Sequence, residues 1–159
     1  MKTAKRIIIS CVLVILATAF IFSNSLKNGE QSNKDSGVIE EVVEPIIIGV
    51  TNDPNADVNF IVRKGAHLTE FCVLGITVMC TVLAVYTRFG KKIMGYGFFY
   101  VLAVAVTDEF IQSFSDRTSS VRDVLIDFTG AMIGFLLVFA VVSIIMLYKK
   151  KRTSQKKDT

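Results

Sequence analysis

Three short passages of this 159-residue chain hold most of the side chains able to do chemistry. In Arg63-Lys64-Gly65-Ala66-His67-Leu68-Thr69-Glu70, His67 and Glu70 are three residues apart and share a helix face, with Arg63 one turn before His67. In Asp108-Glu109-Phe110-Ile111-Gln112, Asp108 and Gln112 lie one turn apart on a common face. Glu109 points about 100° away from Asp108 by the helical repeat, so the two need not share a role. Arg122-Asp123 is followed one turn later by Asp127. A His among carboxylates is material for general acid–base work, and carboxylates crowded together compete for ionisation, so that one can keep a proton and donate it. The same set could couple protons or hydrogen-bond an amide- or sugar-bearing ligand. A metal has little support from the sequence: the chain has one His, no HExxH pattern and no dense oxygen-ligand loop, and neither a metal nor a cofactor is expected. Ser115, Ser119 and Ser120 are available to a Ser–His hydrolase, but nothing like a nucleophile elbow surrounds them.

The elements that must position these residues are membrane helices. With 52% apolar residues and a mean hydropathy of +0.53, the chain is too greasy for a soluble domain and too short for two domains. Four apolar stretches, roughly 7–22, 66–86, 93–111 and 124–148, approach the ~20 residues that a helix needs to cross a bilayer; only the first is marginal. The expected fold is all-α, a multi-pass transmembrane bundle of four spans. It occupies residues 1–148, with an aqueous segment at 23–62 and a basic tail at 149–159. Helices satisfy their own backbone in lipid and then associate by close packing, for which Gly75 and the Gly130/Gly134 GxxxG pair supply small surfaces, within the bundle or between subunits. Cys11, Cys72 and Cys80 lie inside apolar stretches, an odd number that argues against a disulfide framework.

Charge sets the expected orientation. Twelve of the eighteen Lys and Arg flank the chain termini or the 88–92 link, which by the positive-inside rule makes that side, and both termini, cytoplasmic. Thirteen of the fourteen acidic residues fall on the other side. His67, Glu70, Asp108, Glu109, Gln112, Asp123 and Asp127 then meet at one membrane level, with Arg63, Lys64, Arg117 and Arg122 to balance charge. Ionisable groups at that depth cost several kcal/mol unless paired or hydrated, so the cluster is a functional-site hypothesis, with a register-fixing ion-pair network as the plainer alternative. The basic tail follows a span directly, which suits retention and anionic-lipid contact and argues against nucleic acid as a partner. Ala17-Thr18-Ala19 imitates a signal-peptide cleavage site, but Phe20-Ile21-Phe22 prolongs the apolar run past it, as in an uncleaved anchor.

In the aqueous segment, 36–44 reads as a short amphipathic helix that Pro45 bends or ends, and Asn52-Asp53-Pro54-Asn55 reads as a turn. That helix either lies across the bundle mouth or serves as a lid or docking element.

Taken together, Arg63-Lys64-x-x-His67-x-x-Glu70-Phe71 with Leu74-Gly75, Asp108-Glu109-x-x-Gln112, and Arg117 followed by Asp123-Val124-Leu125-Ile126-Asp127, Gly130 and Gly134 resemble the VanZ-like family of small bacterial membrane proteins. Phe22-Ser23-Asn24-Ser25 resembles the family's aromatic and Ser-rich exit from the first span. Asp127 stands where the resemblance leads one to expect Asn. The resemblance implies a multi-pass protein of the cell membrane, in a Gram-positive bacterium, modulating the envelope. The family takes its name from a component of glycopeptide-resistance clusters associated with lowered susceptibility to teicoplanin. Membrane lipids, a glycopeptide antibiotic and a cell-wall precursor are the partners it implies. An intramembrane enzyme acting on a lipid-linked or peptidoglycan-related substrate is the competing class. A transporter is third, weakened because no polar residue lines the inner half of the bundle.

Overall fold

The computed structural model describes residues 2–27, 37, 41–50, 57–114 and 120–155, and among these the secondary structure is entirely helical. The elements are α1 (Lys2–Ser25), α2 over residues 41–50, α3 (Val58–Phe89), α4 (Met94–Gln112) and α5 (Val121–Gln155). All but α2 are long and apolar enough to cross a membrane. Each of the four outruns its apolar stretch in the sequence at one or both ends, because hydropathy marks where lipid is tolerated and not where helical hydrogen bonding stops. For α3 the stop signals are local. Asp57 Oδ1 accepts from Phe60 N at 3.0 Å at the start, and Gly90 takes φ 68° at the end while its N–H donates to Tyr86 O at 2.8 Å. At 32 residues α3 is about 48 Å long, well beyond the ~30 Å hydrocarbon core, so its end turns extend past the hydrocarbon. α5 carries the basic residues after Tyr148 onward as helix to Gln155.

The helix over 41–50 continues past Pro45 and does not end there. One lost donor is tolerated because the following turn is anchored: Ile47 is buried, and with Val43 it faces a cleft walled by α1 and α3. The 52–55 turn and most of 36–40 lie outside the described residues.

α3 is the centre of the bundle, touching α1, α4 and α5, and its interface with α5 is the most extensive. Lipid tails are as apolar as leucine, so packing rather than exclusion from water must hold these helices together. Three glycines make that possible on one seam. A methyl group built on Gly75 would meet the Ala131 backbone, one on Gly130 the Leu68 backbone, and one on Gly134 the Cys72 carbonyl and Ile76 N. Phe71, Leu74, Val78, Val101, Val104, Ala105 and Phe135 belong to the buried core. The outward faces are largely apolar: only 11% of the most apolar stretch of α1 is buried, which leaves Ile8, Ile9, Ile15 and Leu16 to face lipid. Thr18 and Tyr100 share a 2.9 Å hydrogen bond that ties α1 to α4.

Candidate functional site

Alternation of helix direction brings the C-terminal end of α1, the N-terminal half of α3, the C-terminal end of α4 and the N-terminal end of α5 together. At that end Asp108 of α4 is fully buried. Its carboxylate accepts from Ser25 through Oδ1, a short contact, and from Gln112 Nε2 through Oδ2 at 2.7 Å. The Asp108–Gln112 pairing follows from their one-turn spacing. His67 Nδ1 lies 3.8 Å from Asp108 Oδ2 and 3.8 Å from Asp127 Oδ1, so three helices converge on one imidazole. Asp127 is 1% exposed, and its second oxygen, Oδ2, is buried with no hydrogen-bond partner among the described residues.

A second layer surrounds this centre. Glu70 Oε1 accepts from Asn24 Nδ2 at 2.8 Å, joining α3 to α1. Glu109 faces away from the Asp108 centre: its Oε2 accepts from Ser120 N at 3.1 Å, while Ser120 Oγ caps the start of α5 by accepting from Asp123 N at 3.3 Å. Lys64 forms an ion pair with Asp123, which fixes α3 against α5. Arg63 is half-buried, and its Nε has no hydrogen-bond partner among the described residues. Phe60, Arg63, Lys64, Gln112, Ser120, Arg122 and Asp123 line a recess of about 490 Å³ beside the cluster. A separate apolar cleft of about 680 Å³, bounded by Ala17, Phe20, Val43, Ile47, Ala66 and Val73, has Glu70 on its wall. Arg117 lies outside the described residues, as do Ser115 and Ser119. Gly75, Gly130 and Gly134 sit in the α3–α5 seam.

The functional cluster expected from the sequence leaves out Asn24 and Ser25, which enter only through the family-like exit of the first span, and Ser120, which enters only as a possible hydrolase nucleophile. The signal for the first two was present: Val14, Thr18, Ile21 and Ser25 recur at helical spacing on the buried face of α1, and extending that face past the apolar run leads to Ser25 and its neighbour Asn24. Cys11, Cys72 and Cys80 are free thiols.

Four apolar helices around a buried carboxylate–imidazole cluster define a small multi-pass membrane protein with a polar centre at one end of its bundle. A family model described as VanZ/LLP1 matches residues 10–146. The chain belongs to the VanZ/LLP1 family, as the His67, Asp108 and Asp123–Asp127 passages lead one to expect. No curated protein and no solved structure matches the chain.

Proposed function

We propose that this VanZ/LLP1-family membrane protein modulates the bacterial cell envelope through its His67–Asp108–Asp127 centre and lowers susceptibility to teicoplanin. In this reading both termini are cytoplasmic and the centre lies at the outer membrane surface, the level at which a lipid-tailed glycopeptide acts. The observation that carries it is convergence: ionisable residues from three helices meet at one buried point, although each costs several kcal/mol to place there unpaired. An ion-pair network meant only to fix register would match each acid with a base. Here the buried Oδ2 of Asp127 has no hydrogen-bond partner among the described residues.

The test is teicoplanin and vancomycin susceptibility of a sensitive Gram-positive host expressing wild type, Asp108→Asn or His67→Ala at matched membrane abundance. Selective protection against teicoplanin by wild type, lost in both variants, is expected. Equal susceptibility with and without the wild-type chain would remove the resistance reading.

A second reading, an intramembrane enzyme on a lipid-linked envelope substrate, is favoured by the two cavities. The recess walled by Arg63, Lys64 and Arg122 suits an anionic headgroup, and the apolar cleft suits an acyl chain. A carboxylate of the centre would act as general acid or base. Turnover of a radiolabelled lipid-linked precursor by wild type, absent in an Asp108→Asn chain that inserts normally, is the result this reading expects; no turnover by wild type would count against it.

A further inference from the structure

We infer that His67 Nδ1, Asp108 Oδ2 and Asp127 bind a first-row transition dication of the Zn2+ or Mn2+ class. Their ligand-type atoms, one from each of α3, α4 and α5, all lie within 4.8 Å of one another. The two 3.8 Å separations are what two ligands show when each is about 2.2 Å from a common ion and they subtend about 120° there, close to ordinary Zn–N and Zn–O bond lengths. They are too long for the 2.7–2.9 Å of a charge-assisted hydrogen bond, so an imidazolium clamped directly between the two carboxylates does not describe the geometry.

Unfilled valence points the same way. Asp108 and Asp127 are both buried, and Ser25 and Gln112 are among the donors to Asp108. Lys64 is engaged with Asp123. A bound dication would give the buried Asp127 Oδ2 the partner it lacks. Ser25 and Gln112 would then be the hydrogen bonds that orient a ligating carboxylate. The imidazole selects against Ca2+ and Mg2+, which take oxygen ligands, in favour of Zn2+ or Mn2+. Three protein ligands leave coordination positions open for water or a ligand oxygen.

The full-length chain, purified in detergent and stripped with chelator, is reloaded with Zn2+ or with Mn2+ alone, and bound metal is measured by mass spectrometry after gel filtration and by Mn2+ spin resonance. One equivalent per chain is expected, with affinity at least about tenfold weaker in Asp127→Asn and in His67→Gln. Asp127→Asn removes a buried charge and should insert and fold with unchanged helicity. A chain with Cys11, Cys72 and Cys80 all replaced by Ala should keep the metal. Metal no higher than the detergent blank in wild type, retention unchanged in Asp127→Asn, or loss in the Cys-free chain would each overturn the assignment. Metal loading is read on the isolated chain and drug protection in cells, so either result can fail without the other.

Discussion

Gly75→Ala tests whether the α3–α5 seam holds the bundle together. The added methyl carbon would sit 2.8 Å from Ala131 Cα, whereas unbonded carbons rest at about 3.5–4.0 Å, so roughly 1 Å of overlap must be relieved. The opposing atoms are backbone, not the tip of a flexible side chain, and relief requires α5 to move as a body. Overpacking of this kind costs about 1–3 kcal/mol, and for a chain of this size each kcal/mol lowers the unfolding midpoint by about 2–4 °C. Thermal unfolding in detergent, followed by far-ultraviolet circular dichroism, measures it. Gly65→Ala is the internal control: it lies on the same helix with nothing within 4 Å, and there the substitution should gain about 0.5–1 kcal/mol from helix propensity. The same chemical change on one helix should therefore move the midpoint in opposite directions. If both variants shift alike, the seam is not where the bundle is tightly packed, and the reasoning fails.

Three further outcomes follow from the polar contacts and the charge pattern. Ser25→Ala removes a donor from the buried Asp108 carboxylate and should cost about 1.5–3 kcal/mol in the same unfolding assay, whereas Ser23→Ala, at an exposed position, should cost little. A double-mutant cycle of Lys64→Gln and Asp123→Asn should give a coupling of about 1–2 kcal/mol, between the surface and buried limits, since the two side chains are 23% and 13% exposed; zero coupling would mean the pair contributes nothing to docking α3 on α5. In a chain lacking its native cysteines, a membrane-impermeant maleimide should label Ser113→Cys in intact cells and Lys151→Cys only after permeabilisation, and the opposite pattern would invert the proposed orientation.

The spans were legible because apolar runs near the length of a bilayer crossing have few other uses, and the helical character of the site passages followed from spacing alone. Pairs within one helix could be read directly: Asp108 with Gln112 is a matter of counting four residues. Partners on different helices could not, since no linear spacing records that Asn24 reaches Glu70 or that Ser25 reaches Asp108. The metal-ligand set shows the same limit most clearly. Ligand motifs visible in a sequence place two donors on one helix, while His67, Asp108 and Asp127 contribute one each from three. Pro45 does not end its helix: propensity counts the lost hydrogen bond and not the burial of Ile47 beyond it.

Packing and chemistry are not separable in this bundle. Gly130 meets the carbonyl of Leu68, the residue after His67, and stands three residues beyond Asp127. The close approach that a missing side chain permits is therefore also what sets the distance between the imidazole and the second carboxylate. A bulkier residue at Gly130 would drive α5 outward and lengthen the 3.8 Å His67–Asp127 separation before it unfolded anything. Function and stability should accordingly fall in a definite order. Gly130→Ala is expected to lose metal affinity and drug protection at temperatures where its helicity is still intact, because a ligand set tolerates displacement of a few tenths of an ångström while the bundle tolerates more. Parallel loss of helicity and binding along one thermal curve would show instead that the seam supports the fold alone.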